Sequence, residues 1–225
     1  MLDTELLTDR IIAPAPARRA SRRGRHGWYP RQGKAVCDAL AAAALLALLA
    51  PVLAVTALVV LVTLGRPVLF LQERVGKSGR NFTIYKFRTM TADRRAGFRA
   101  HAGEDRRRTH KSARDPRLAA VGRFLRASSL DELPQLLNVL RGDMSLVGPR
   151  PEMVDIVDRH GLRDHPRHGV KPGITGLWQV SARGDGLLHQ NVHVDLAYLD
   201  RITPAQDLRI LLRTIPAALW GQRGM

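Results

Sequence analysis

The run from Ala39 to Leu64, ALAAAALLALLAPVLAVTALVVLVTL, decides the architecture. It holds no charged residue, and its only hydroxyls are Thr56 and Thr63. As one straight helix it reaches about 39 Å, against about 30 Å for the hydrocarbon core of a bilayer. It begins too late and runs too long for an ordinary cleavable secretory signal. Pro51 stands near its middle, where it removes one helical hydrogen bond and crowds the preceding turn. Each half, 39–50 and 52–64, is roughly 18–20 Å long, enough to dip into one leaflet. Arg18, Arg19, Arg22, Arg23, Arg25, Arg31 and Lys34 precede the run, and Arg66, Arg74, Lys77 and Arg80 follow it. Positive residues favour the cytoplasmic side, so two basic flanks suit a bent helix that enters and returns. A kinked single span is the other geometry these residues allow, because proline is tolerated in spanning helices.

Outward from that run the chain is basic. Its 225 residues hold 36 Lys and Arg against 20 Asp and Glu, a net charge of +16. The partners that such a charge favours are phosphates, in nucleic acid, anionic lipid or a phosphorylated substrate. The single cysteine, Cys37, excludes an internal disulfide and a cysteine-based zinc cluster. Residues 1–33, rich in Arg, Pro, Ala and Ser without periodicity, are expected to form a disordered basic tail on anionic lipid. Residues 34–66 are expected to form a membrane helix, and 67–225 a separate body.

In that body, Pro67–Arg74 and Phe82–Phe87 read as short strands around the turn Gly76-Lys77-Ser78-Gly79. Residues 94–126 carry eleven basic side chains against Glu104, Asp105 and Asp115, a solvated surface that also attracts phosphate. Helical spacing is expected over Pro116–Ala127, Leu133–Leu140, Asn191–Leu199 and Ala205–Leu219. The last sets Arg209 and Arg213 against Leu208, Ile210, Leu211, Leu212 and Ile215, which suits an interfacial helix or one facing the core. The expected fold class is therefore mixed α/β and mainly helical, a Pro-broken membrane-inserted helix with a small domain that carries interfacial amphipathic helices.

Ser129-Leu130-Asp131-Glu132-Leu133-Pro134-Gln135 is the stretch richest in chemistry. Two adjacent carboxylates stand at a helix start in an otherwise cationic chain. One reading is a capping box, with Ser129 as N-cap and Glu132 three residues on. Pro134 then falls beyond the first turn, so a start nearer Asp131 suits it better. Either start puts both acids where the helix dipole lowers a carboxylate pKa. An ionised Asp beside a Glu can hold a divalent cation or attack phosphorus, with Arg123 and Arg126 just upstream as cations. In Gly148-Pro149-Arg150-Pro151, two prolines present one guanidinium stiffly. The glycines of Lys171-Pro172-Gly173-Ile174-Thr175-Gly176 are suited to bringing backbone close to a ligand, a weak signal alone.

Taken in order, these motifs resemble a known family. They are the Pro-broken apolar helix, Gln72-Glu73-Arg74, Tyr85-Lys86-Phe87-Arg88-Thr89-Met90 and the Ser129–Gln135 stretch. Asn138-Val139-Leu140, Met144-Ser145-Leu146-Val147-Gly148-Pro149-Arg150-Pro151 and Lys171–Gly176 follow. From Lys34 to Leu219 the chain is similar to the bacterial sugar transferases, monotopic polyprenyl-phosphate hexose-1-phosphate (phosphoglycosyl) transferases. With no multi-span region upstream, it is expected to be the minimal catalytic-core form.

The resemblance implies transfer of a sugar 1-phosphate from a nucleoside diphosphate sugar, usually a UDP-sugar, to a polyprenyl phosphate such as undecaprenyl phosphate. UMP leaves, Mg²⁺ assists, and a covalent phosphosugar-enzyme forms on the Asp of the dyad. Carried over, it makes Asp131 the nucleophile, and gives Glu132 a part in metal binding or in deprotonating the acceptor. Arg126 and Arg150 would hold phosphates and Arg183 would contact the nucleotide. Lys86, Arg88 and Asp207 would line the rim of the site. It also implies a re-entrant helix, and a cytoplasmic (inner) membrane location with the catalytic domain and both termini on the cytoplasmic side. The family often has Ser before the breaking proline; here it is Ala50, which removes one hydroxyl from the bend. The implied partners are the UDP-sugar, the polyprenyl phosphate and anionic membrane lipids, with a homodimer left open.

Three rival readings are weaker. A membrane-tethered nucleic-acid binder would want a base-reading motif or an aromatic stacking platform, and the sequence offers neither. A zinc hydrolase built on His189, His193 and Asp195 lacks the Glu of the usual zinc helix. A non-catalytic scaffold has no use for an intact Asp131-Glu132 pair.

Overall fold

The computed structural model describes residues 28–91, 119–181 and 192–220. Helix α1 runs Lys34–Leu64, continuing from a wide turn over Tyr29–Gly33, and holds Pro51 in its interior. At 31 residues it is about 46 Å along its path. Its buried residues are Asp38, Ala42, Thr56 and Val60, with Leu46 and Leu53 half-buried between them. Their spacing of three, four or seven places them on one helical face, the seam with the body. No residue between Ala42 and Thr56 is buried, so the seam is tight at the two ends and loose around Pro51. The other face shows Leu40, Leu48, Leu58 and Val62, all more than half exposed. A contiguous aliphatic surface of this size marks contact with protein or membrane rather than water.

Gly65 closes α1 with φ 73°, and its N–H donates to the Leu61 carbonyl. The last carbonyls of a helix lack partners within it. Here the Arg88 guanidinium supplies them, donating to the carbonyl oxygens of Leu64, of Gly65 (2.6 Å) and of Arg66 (3.1 Å). A cation at a helix C-terminus also meets the negative end of the dipole. The side chain expected at the rim of the site is thus spent on the end of the helix. Arg88→Leu is expected to lower unfolding stability by about 1–3 kcal/mol, with substrate KM unchanged. Denaturant titration in detergent, beside a steady-state assay, checks it.

After α1, strands β1 (Leu69–Val75) and β2 (Asn81–Phe87) pair antiparallel, from Leu69 opposite Phe87 to Val75 opposite Asn81. The turn between them uses left-handed backbone at Ser78 (φ 58°) and Gly79 (φ 71°), as Gly-Lys-Ser-Gly suggests. Helices α2 (Ala120–Ala127) and α3 (Leu136–Arg141) follow, joined by a 3₁₀ turn over Leu130–Gln135. Strand β3 (Ser145–Val147) leads to β4 (Glu152–Met153), which joins the other edge of β1 to give the sheet order β2-β1-β4. Helix α4 (Val154–Arg159) comes next, and then β5 (Gly173–Thr175), which pairs in parallel with β3. The chain ends in α5 (Leu177–Ser181), α6 (Val192–Leu199) and α7 (Pro204–Trp220).

The glycines of the Lys171–Gly176 motif do something other than cradle a ligand. A Cβ on Gly173 would stand 2.1 Å from the Gly148 nitrogen, and one on Gly176 would stand 2.1 Å from the Gly148 oxygen. They let two backbones touch where β3 and β5 pair. Helix α7 also differs from its expected face. Ile210 is buried in the core, while Leu208, Leu212 and Ile215 are exposed beside Arg209 and Arg213. The helix therefore faces the core along one line and shows a mixed apolar and basic surface outward.

One core cluster gathers Ala42 of α1 with Ile84, Leu136, Val139, Met144 and Tyr198. A second gathers Val60 with Phe87 and Leu125. Helix α1 is thus part of both cores, one on each side of Pro51.

Candidate active site

Helix α2 ends at Ser128, and the chain turns at Ser129, whose φ of 58° and ψ of 15° are left-handed. Ser129 makes no side-chain cap, so the capping box is absent. What redirects the chain is backbone conformation, with Glu132 N–H on the Ser129 carbonyl at 3.1 Å. Pro134 falls inside the tight turn, ahead of α3, so its missing N–H interrupts no α-helical ladder. Asp131 and Glu132 occupy the first turn of this 3₁₀ segment.

The turn is pinned against β2. Asn138, fully buried in α3, donates to the Thr83 carbonyl (2.7 Å) and accepts from the Tyr85 N–H (3.1 Å). That contact brings Lys86, at the end of β2, to Glu132. Lys86 Nζ stands 2.6 Å from Glu132 Oε1, and Arg150 Nη2 reaches the same oxygen at 3.2 Å. Burial pushes the Glu132 carboxyl up, but Lys86 and Arg150 together outweigh it and hold the group well below the usual carboxylate range. Glu132 is a fixed anion.

Asp131 behaves oppositely. Among the described residues no side chain hydrogen-bonds its carboxylate, and burial with the adjacent Glu132 charge raises its pKa to about 6. Lys86, Arg126 and Arg150 pull it down only in part. The helix-dipole argument expected a lowered value. One short turn contributes less than desolvation and a neighbouring anion do. The outcome is a basic carboxylate with cations close by and none bonded to it.

Arg150 is held through its backbone. The Pro149 carbonyl accepts from Gly173 N–H (2.9 Å), the Arg150 carbonyl from Arg167 Nη2 (2.8 Å) and the Pro151 carbonyl from Arg74 Nη1 (3.3 Å). Three successive carbonyls are gripped, two by arginines, and the flanking prolines fix φ. Arg74 belongs to the Gln72-Glu73-Arg74 motif, and its own Nη2 donates to Gln72 Oε1 at 2.6 Å. Arg167 in turn is paired with Asp195 through Nε (2.9 Å) and Nη2 (2.8 Å), both side chains 2 % exposed or less. This pair was not foreseen. Asp195 looked like part of a metal triad with His189 and His193, but its carboxylate is committed to Arg167. His189 lies outside the described residues. Asp195→Asn is expected to cost about 3–5 kcal/mol of stability, since it leaves Arg167 uncompensated. Thermal unfolding checks it.

Other expected positions divide. Arg126 donates from Nε to Thr89 Oγ1 (3.0 Å) and acts on Asp131 electrostatically, so it stands at the dyad. Arg183 lies outside the described residues. Asp207 is elsewhere, 4 % exposed in a separate polar cluster. Its carboxylate accepts from Tyr29 Oη (2.8 Å), Lys34 Nζ (2.5 Å) and Tyr198 Oη (2.8 Å). Nearby, Asp38 of α1 accepts from Ser145 Oγ at 2.6 Å. The cluster fastens the start of α1 to α7, α6 and β3.

Among the described residues no group of three His, Cys, Asp or Glu side chains is placed to hold a metal. Two carboxylates are nonetheless the donor set that Mg²⁺ takes when a substrate diphosphate completes its shell. The Asp131 carboxylate is free of hydrogen bonds among the described residues, and only Oε1 of Glu132 is engaged. The residues fit that group.

The bacterial sugar transferase family model matches residues 29–221. The chain is 41 % identical over 225 residues to the UDP-glucose:undecaprenyl-phosphate glucose-1-phosphate transferase of Caulobacter vibrioides, covering 96 % of this chain and 77 % of that protein. It is 39 % identical over 186 residues to the sugar transferase EpsL of Bacillus subtilis, covering 83 % and 87 %. Against the galactosyl transferase CpsE of Streptococcus agalactiae it is 40 % identical over 161 residues, covering 70 % of this chain and 36 % of that one. The chain thus spans most of some relatives and about a third of others.

Proposed function

Because the chain belongs to the bacterial sugar transferase family, we propose that it moves a sugar 1-phosphate from a UDP-sugar to a polyprenyl phosphate. The observation that carries this reading is the contrast within the dyad. Glu132 is locked by Lys86 and Arg150, while among the described residues Asp131 has no hydrogen-bonding side chain, and its pKa is elevated. A carboxylate of that kind is a better nucleophile than a strongly acidic one and is still ionised at neutral pH.

An Asp131 oxygen attacks the sugar-bearing phosphorus, and the bond from that phosphorus to the UMP oxygen breaks. UMP leaves with the electron pair. The acceptor's phosphate oxygen then attacks the same phosphorus, giving a polyprenyl diphosphosugar and restoring the Asp131 carboxylate. Arg150 and Arg126 place positive charge where phosphoryl oxygens gather it, and Lys86 with Arg150 keeps Glu132 from repelling the substrate. Arg183 is assigned to the nucleotide. Mg²⁺, for which Asp131 and Glu132 would be the protein ligands, would neutralise charge on the substrate diphosphate and on the departing UMP.

The acceptor is a lipid, and the exposed aliphatic face of α1 supports insertion at its membrane. Both ends of α1 are buried against the body and Pro51 stands exposed between them, which supports a dip with Pro51 at its apex. Basic flanks on both sides keep the body and termini cytoplasmic.

UMP release from a panel of UDP-sugars, with undecaprenyl phosphate and Mg²⁺ in detergent, tests the reading. Release with one sugar, dependent on lipid for turnover, is expected. No UMP from any sugar, even in a single turnover, would sink it and favour a scaffold.

A further inference from the structure

Beside the dyad lies a cavity of about 600 Å³ between α1 and α2. One wall is the stretch of α1 from Pro51 to Val59, with Val52, Val55 and Val59 turned into it. The other is α2, through Val121 and Phe124, and Leu130 also lines it. Among the described residues that line it, Thr56 is the only one whose side chain has a polar atom. The volume lies within the range of pockets that take small organic ligands, roughly 300–1,000 Å³.

Its placement matters more than its size. Leu130 is the residue immediately before Asp131. Helix α2 divides its length between two environments: Val121, Phe124 and Leu125 line the cavity, while Arg126 bonds Thr89 and acts on Asp131. Cationic charge at one end and aliphatic walls at the other match an amphiphile with an anionic head and a hydrocarbon tail. A nucleotide sugar has no such tail. The α1 wall belongs to the uncharged run itself, so the cavity borders the surface that meets bilayer hydrocarbon.

We infer that this groove takes the first isoprene units of the acceptor, and that it sets the preference for a long polyprenyl chain. The inference rests on the transferase reading above and adds to it a specificity site outside the reacting groups. With the acceptor's phosphate at Arg126 and Asp131, the chain leaves along α2, passes Leu130 and enters the bilayer beside Val52 and Val55.

Val121→Trp and Val55→Trp fill the groove from opposite walls and touch none of the reacting groups. In full-length protein in nanodiscs, both are expected to keep the wild-type burst of UMP formed from UDP-sugar without acceptor. The KM for undecaprenyl phosphate is expected to rise at least about tenfold, and the preference for it over geranyl phosphate to collapse. A wild-type KM and chain-length preference in both variants, with the burst intact, overturns the groove and leaves the transferase reading standing. No burst from the wild-type protein with any UDP-sugar overturns that reading first. A second measurement needs no turnover. A prenyl phosphate with a diazirine in its second isoprene unit should label α2 or the Pro51–Val59 stretch of the wild-type protein. Undecaprenyl phosphate should displace that label and phospholipid should not. Labelling elsewhere, or equal displacement by phospholipid, overturns the inference.

Discussion

Asp131→Asn is expected to lose transfer by at least about a thousandfold, with no phosphosugar adduct by intact mass and unchanged membrane binding. The amide keeps the size of the side chain and removes its nucleophilic oxygen. Lys86 and Arg150 stay on Glu132, so the surrounding frame has no reason to move. Normal turnover in this variant would end the covalent mechanism.

The same substitution has a second expected effect, of opposite sign. The Asp131 pKa rises from 3.8 to about 6 on folding. Between those values the folded protein binds more protons than the unfolded chain, so stability falls as pH rises through that window. At pH 7 the full penalty is present, on the order of 1–2 kcal/mol for a carboxyl group still partly in contact with solvent. Asp131→Asn removes it. The variant should therefore melt higher than the wild type at pH 7, with the difference vanishing below about pH 4. Wild-type kcat/KM should fall as pH drops through about 6, as the nucleophile takes up a proton. An activity profile flat from pH 7 to pH 5 would contradict the assignment.

Arg150→Ala is expected to lower kcat by roughly a hundred- to a thousandfold, the scale of losing one charge-stabilising donor. It also removes one of two cations from Glu132 and one of three that pull Asp131 down. The acid limb of the rate profile should therefore move to higher pH. Arg150→Lys should recover only part of the rate, because an ammonium lacks the planar fork of a guanidinium. Wild-type kcat in Arg150→Ala would make the Pro-flanked arginine a structural residue.

The parts legible in the sequence are those written as contiguous pattern. The apolar run, the hairpin around Gly76–Gly79, the Asp131-Glu132 pair and the stiff Pro149-Arg150-Pro151 segment each state their role within a few residues. Lys86 was placed near the site by resemblance alone, and its bond to Glu132 depends on Asn138 fastening β2 to α3. Arg88 and Asp207 looked like residues of the site because charge in a sequence does not reveal what it faces. One serves the end of α1 and the other its beginning. The Arg167–Asp195 pair joins residues 28 positions apart, and in sequence both read as surface charges. Burial and the Glu132 charge set the Asp131 pKa, and the burial is not written in the residues of the turn that holds it.

The polar cluster at the start of α1 bears on how the molecule is made. Lys34 and Tyr29 meet Asp207 across 173 and 178 positions of chain. The apolar helix leaves the ribosome long before the carboxylate that receives its leading end has been synthesised. During that interval Lys34 has Asp38, one turn along its own helix, at 3.5 Å. Formation of the apolar helix and its docking onto the body are therefore separate events, the second waiting for α7. Loop closure over such a span is slow, so the joint between α1 and α7 forms late. Helix α7 completes the joint.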